Sequence, residues 1–120
     1  MTTEHLFLVG PMGAGKSTIG KQLANILGRP FFDIDVEIVK STGADIQWIF
    51  DMEGEEGFRQ RESAMLLRTI ASSTPSVIAT GGGIVLRSDN RNAMVDAGKV
   101  VYLWVTKQQL YERTERDKRR

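Results

Sequence analysis

Apolar and polar positions along the chain fall into blocks of two different periods. Leu6-Phe7-Leu8-Val9 is an unbroken apolar run closed by Gly10, the pattern of a short strand buried on both faces. Ile19, Leu23, Ile26 and Leu27 then recur at helical spacing, and Gly28 ends that helix. Phe31-Phe32 leads into Asp33-Ile34-Asp35, a strand whose end turns polar. Two short helical patterns follow, near 36–41 and 45–52, with Gly43 between them. A longer helix is predicted from near Glu55 to near Ala71, burying Phe58, Met65, Leu66 and Ile70. Val77-Ile78-Ala79 predicts a third buried strand, stopped by Thr80-Gly81-Gly82-Gly83. Ser88 is placed to N-cap a short helix ending before Gly98, and Val100 to Val105 forms a fourth strand. Thr106 with Gln109 makes a capping box for a last helix.

Strands alternating with helices argue for an α/β fold: a parallel sheet covered by helices on both faces. Ligands of such folds gather at the carboxyl ends of the strands. The polar interruptions after Val9, Phe32 and Ala79 fall there. With 120 residues, 41% of them apolar, and no repeat or linker, the chain reads as one domain, 1–120. A net charge of +1 gives no ground for nucleic acid or a membrane surface as partner. No run approaches the roughly 20 apolar residues that span a bilayer, and no signal-peptide pattern opens the chain. The absence of cysteine excludes disulfides, thiolate metal sites and a cysteine nucleophile. A monomer in the cytoplasm is expected. The charge is uneven, however: the last eight residues carry five cations against Glu115 and Asp117.

Gly10-Pro11-Met12-Gly13-Ala14-Gly15-Lys16-Ser17 fits G-x-x-x-x-G-K-[ST] at every fixed position, and Thr18 follows. Glycines permit φ > 0 and remove Cβ atoms, so consecutive backbone N–H groups can face phosphate oxygens. The helix starting near Lys16 adds unpaired N–H groups and its positive dipole end. The Lys16 ammonium suits the β- and γ-phosphates of ATP, and the Ser17 hydroxyl suits Mg²⁺. The strand before and helix after supply the context that separates a phosphate loop from an idle glycine-rich turn.

Motors, GTPases, ATPases and small-molecule kinases all carry such a loop. No N-K-x-D element for guanine is present, and the fourth strand ends without an acidic residue. Asp33 and Asp35 stand after the second strand instead, i and i+2, sharing a face if the strand continues and diverging if it stops. Taken with 10–18, the elements Phe32-Asp33-Ile34-Asp35, Gly54-Glu55-Glu56-Gly57-Phe58-Arg59 with Glu62, and Thr80-Gly81-Gly82-Gly83 make the chain resemble the shikimate kinase family from Phe7 to Arg120. The resemblance implies a three-layer P-loop kinase fold whose central parallel sheet has five strands in the family and four here. It implies transfer of the γ-phosphoryl group of ATP, with Mg²⁺, to the 3-hydroxyl of shikimate, a step toward chorismate and aromatic amino acids.

The resemblance also implies site residues. Gly13, Ala14, Gly15, Lys16, Ser17 and Thr18 would hold the nucleotide phosphates, and Asp33 a water of the Mg²⁺ shell. Asp35 would orient or deprotonate the attacking hydroxyl. Arg59 would clamp the carboxylate, with Glu62 holding Arg59, and Gly81, Gly82 and Gly83 would admit the ring, Gly82 donating its N–H. Arg113 would lie against adenine, and Arg120 would neutralise the transferring group from a lid starting near 113. Each has a plainer alternative. Asp33 or Asp35 can be a helix N-cap, and Arg59 can pair with Glu62 on a solvated face. The glycines can form a flexible loop, and the basic end can be a solvated helix terminus. Relative to the family, the chain stops at the start of the lid. An open strand edge, lower stability and little kinase activity are therefore expected of these 120 residues. A nucleotide-binding module without catalysis and a kinase for another carboxylated polyol, such as gluconate, remain the alternatives.

Overall fold

The computed structural model describes residues 4–11, 13–71 and 74–104. Four parallel strands, β1 (His5–Val9), β2 (Phe31–Asp33), β3 (Val77–Ala79) and β4 (Gly98–Tyr102), form one sheet in the order β2-β3-β1-β4. Helices α1 (Lys16–Leu27), α2 (Ile34–Thr42), α3 (Ile46–Ile70) and α4 (Ser88–Ala97) fill the crossovers, as parallel pairing requires. The chain passes from β1 to β2 on one side and from β3 past β1 to β4 on the other. The carboxyl ends of β1 and β3 therefore flank the switch point, where such sheets bind ligands.

The registers Leu8↔Ala79 and Asp33↔Ala79 bring the ends of β1, β3 and β2 level. Phe7, Val9 and Ile78 join Ile34, Ile38, Ile49, Phe58, Leu66, Ile84 and Met94 in the larger core, and Leu8, Ala24 and Val77 form a second one. His5, buried in β1, is structural: its Nε2 lies 3.1 Å from the Ile70 carbonyl and its Nδ1 accepts from the Ser76 N–H at 3.1 Å.

Several boundaries differ from expectation for physical reasons. The second strand stops at Asp33, whose carboxylate takes the N–H groups of Asp35 and Val36 and starts α2 two residues early. Asp33 is thus the N-cap; Asp35 is neither a cap nor on a strand. The two predicted helices of 45–52 and 55–71 run end to end as α3, broken at Gly54 (φ 74°, ψ 179°). In α1 the sheet-facing residues are Gly20 and Ala24, while Ile26 and Leu27 are exposed. Ser88 lies inside the first turn of α4 rather than capping it, because a 3-10 turn at Ile84–Leu86 leads the chain straight into the helix.

The fourth strand starts two residues earlier than predicted, where Gly98 meets the His5 backbone, and it lies at the sheet edge with Val100, Val101 and Tyr102 exposed. Val105, the Thr106–Gln109 capping box and the basic segment from Arg113 lie outside the described residues.

Gly20 presses α1 onto the sheet. A Cβ there would overlap the Phe31 ring and lie 3.1 Å from Leu8 Cδ1. Alanine is the better helix former, yet Gly20→Ala is expected to lower stability by about 1–3 kcal/mol through overpacking. Urea unfolding checks this, and a raised midpoint would contradict it.

Candidate functional site

The loop between β1 and α1 is shaped by its glycines. Gly13 (φ 86°) and Gly15 (φ 87°) hold left-handed conformations that side chains resist, and a Cβ on Gly10 would lie 2.5 Å from the Leu103 carbonyl oxygen. Ala14 is buried, and its N–H returns to the Pro11 carbonyl at 3.2 Å. No side chain caps α1 and no acid stands in its first turn, so the positive end of the helix faces the loop uncompensated. The Lys16 ammonium folds back onto the carbonyls of Gly10 and Pro11. Burial pushes its pKa down, against the attraction of Asp35, Asp33 and Glu62. Thr18, one turn into the helix, is exposed.

Ser17 donates from Oγ to Asp33 Oδ2 at 2.6 Å, while Asp33 Oδ1 caps α2. Asp33 thus caps α2 with one oxygen and meets the first turn of α1 with the other. Among the described residues no group of three or more His, Cys, Asp or Glu is gathered for a metal. The hard oxygen donors Ser17 and Asp33 fit Mg²⁺ only as part of a shell that phosphate and water complete.

On the far side of Lys16, α2, α3 and the loop after β3 converge. Arg59 Nη1 donates to Glu62 Oε1 at 3.1 Å; Glu62 is only 1% exposed, so this is no solvated-face pair. The guanidinium also lies 5.4 Å from the Phe58 ring centroid. A Cβ on Gly81 would stand 2.9 Å from Glu62 Oε2 and 3.1 Å from Asp35 Oδ1, and one on Gly83 would collide with the Arg59 guanidinium. The absence of a Cβ at these glycines thus leaves room for the protein's own charged groups. Gly82 is exposed in the intervening turn. The loop is not slack: Ile84 N–H reaches the Gly81 carbonyl at 3.2 Å, and Leu86 N–H the Gly83 carbonyl at 3.1 Å.

Asp35 Oδ1, Arg59 Nε, Glu62 Oε2 and Ser63 Oγ are buried without a hydrogen-bond partner. Glu55 approaches Arg59 Nε only to 3.7 Å. Native proteins rarely leave such atoms unpaired, and each clustered exception calls for an explanation. Burial raises the Asp35 pKa, Asp33 adding to it and Lys16 and Arg59 opposing; burial likewise raises that of Glu62 against the Arg59 hydrogen bond. The site combines an anion cradle, a poised carboxylate and a guanidinium with free valence.

The structure thus gathers Lys16, Ser17, Asp33, Asp35, Arg59, Glu62, Gly81 and Gly83, while Arg113 and Arg120 lie outside the described residues. Sequence reasoning missed Ser63, although its place four residues after Arg59 sets it on the same helix face. It also gave Thr80 no role; the Thr80 hydroxyl donates to the Leu8 carbonyl at 2.9 Å and ties the two loop-bearing strands together. No helix among the described residues is long and apolar enough to cross a membrane.

Comparison with known proteins agrees with this geometry. The family described as shikimate kinase matches residues 12–120. A shikimate kinase of Histophilus somni (strain 2336) is 53% identical over 117 residues, which is 98% of this chain and 66% of that protein. The structure of shikimate kinase from Acinetobacter baumannii in complex with shikimate superposes with a TM-score of 0.89 at 48% identity, covering 99% of this chain and 66% of that one. The chain thus spans about two thirds of the length of these relatives. A gluconokinase from Sinorhizobium meliloti 1021, 20% identical with a TM-score of 0.70 over 98% of this chain and 67% of its own, shares the fold alone.

The raised Asp35 pKa has a consequence for stability. Between the ordinary value of 3.8 and the higher native one, the folded chain binds more protons than the unfolded chain, so stability falls as pH rises through that window. Asp35→Asn removes this cost and is expected to melt at or above the wild-type temperature at mildly alkaline pH, the gap closing in acid. Thermal scans across pH test this; a variant that melts lower in alkali contradicts it.

Proposed function

The chain belongs to the shikimate kinase family, and on that premise we propose that it transfers the γ-phosphoryl group of ATP to the 3-hydroxyl of shikimate. One observation carries the reading for this chain: the unpaired buried atoms of Asp35, Arg59 and Glu62 stand together within the electrostatic reach of Lys16 of the phosphate loop. A hydroxylated ring acid offers the hydrogen-bond donors and the carboxylate those atoms lack.

The backbone N–H groups of 13–18 and the positive end of α1 bind the phosphate tail. Lys16, released from the Gly10 and Pro11 carbonyls, would neutralise the β- and γ-phosphates. Ser17 and Asp33 would hold Mg²⁺, which would supply further charge neutralisation. Arg59, oriented by Glu62, presents a planar fork to the acceptor carboxylate. Asp35 accepts the hydrogen bond of the attacking hydroxyl, and its raised pKa makes it a stronger base than an ordinary aspartate. Most of the rate gain in such a site comes from positioning and charge. Arg113 against adenine and Arg120 on the phosphoryl group are part of this proposal.

An assay of ADP release by the full chain with MgATP tests it, shikimate against gluconate. Such turnover as these 120 residues retain is expected with shikimate, and calorimetry is expected to show shikimate binding; equal turnover with gluconate, or no shikimate binding beside demonstrable ADP binding, overturns the acceptor assignment. Asp35→Asn is expected to lower kcat by about 10²–10⁴-fold with the fold intact. Arg59→Lys is expected to raise the shikimate KM by about tenfold or more, because one point charge replaces the fork.

A further inference from the structure

The break in α3 falls within the elements that frame the acceptor side. Asp35 stands on α2, whose Ile34 and Ile38 share one core cluster with Ile49 of the helical segment before Gly54 and with Phe58 and Leu66 of the segment after it. Arg59 and Glu62 stand on the segment after it. That second segment is tied to the loop after β3 by Arg59 against Gly83 and by an ion pair between Glu56 and Arg87 at 2.5 Å. Gly54 has nothing within 4 Å of a would-be Cβ, so its conformation, and not packing, calls for glycine there. A change of angle at this residue would shift Arg59 and Glu62 relative to the segment 46–53 against which α2 also packs.

Besides the shared core, two side-chain pairs bridge the break. Inside, Phe50 stacks on Phe58 with centroids 4.6 Å apart. Outside, Glu53 reaches over the backbone to Arg61 in a two-pronged ion pair, Oε1 to Nε at 2.6 Å and Oε2 to Nη2 at 2.7 Å. Gly57 makes room for this reach, since a Cβ there would lie 2.5 Å from Glu53 Cβ. A stacked ring pair tolerates sliding and tilting, whereas a forked guanidinium–carboxylate pair fixes direction as well as distance. Two glycines and two opposite charges are thus spent on one joint beside the acceptor site.

We propose that Glu53 and Arg61 are positioning residues for acceptor binding: their forked pair fixes the angle at Gly54 and hence the spacing of Asp35 from Arg59 and Glu62. The proposal rests on the acceptor reading above. Neither residue touches substrate in it; they act through the two segments they join. Both side chains are partly exposed, so the pair is open to screening by salt.

The test compares the full wild-type chain with Glu53→Gln and with the exchange Glu53→Arg plus Arg61→Glu. Glu53→Gln is expected to raise the shikimate KM about twofold to fivefold, the range open to an exposed ion pair, while kcat and ADP affinity stay put. Backbone hydrogen exchange across 46–53 should quicken, the exchange variant should recover both readouts, and high salt should bring the wild-type KM toward that of Glu53→Gln. An unchanged KM in a chain that turns over overturns the positioning role alone. A loss of shikimate and ADP affinity in step with a lower melting temperature also overturns it, showing general destabilisation. A wild-type chain that binds ADP but not shikimate overturns the acceptor reading and the positioning role with it.

Discussion

The carboxylate of Asp33 holds two parts of the molecule in place at once. Oδ2 takes the Ser17 hydroxyl from the first turn of α1, and Oδ1 takes the Asp35 and Val36 N–H groups that open α2. The parallel ladders of β1, β3 and β2 bring the loop-bearing ends level to within a residue. That alone leaves the helices free to settle a side-chain length apart. A charge-assisted bond of 2.6 Å on one oxygen and a helix cap on the other remove that freedom. The spacing between the phosphate cradle and Asp35, which any phosphoryl transfer between them needs, is therefore set by one side chain.

Around that joint the charges are held against their own preference. Burial drives the Lys16 ammonium toward its neutral form and drives Asp35 and Glu62 toward theirs, and the attraction between the two signs offsets part of each effect. Apolar residues of the same volume would hold the fold at least as well. Groups kept in such tension respond strongly to a ligand: phosphate favours the charged lysine, and a donated hydroxyl favours the charged aspartate. Stability is surrendered where chemistry is needed.

What the sequence made legible follows from how local each cause is. The phosphate loop and β1, α1 and β3 could be read off because glycine conformation and apolar periodicity act within a few residues. The start of α2 could not: Asp33 and Asp35 are both able to cap, and the choice depends on Ser17, sixteen residues away, fixing one oxygen of Asp33. The Gly54 break was legible as a gap between two helical patterns, but not the end-to-end continuation across it. Glu62 read as a helper of Arg59, yet its near-complete burial depends on Gly81, which comes from another crossover. Likewise Gly81 and Gly83 were read as room for a ligand, and the lack of a Cβ at each also leaves room for Asp35, Glu62 and Arg59.

That second use of the glycines bears on the unpaired atoms. A Cβ on Gly81 would stand 2.9 Å from Glu62 Oε2 and 3.1 Å from Asp35 Oδ1, and one on Gly83 would meet the Arg59 guanidinium, so all three charged groups pack where side chains are missing. That packing gives Asp35 Oδ1 and Glu62 Oε2 no hydrogen bond: both stay unpaired. A partner for those atoms would stand at the carboxyl ends of the strands, where folds of this kind bind ligands, within the electrostatic reach of Lys16. A molecule that pairs with them is thereby held beside the phosphate loop, so the glycines bear on binding without contributing a side chain.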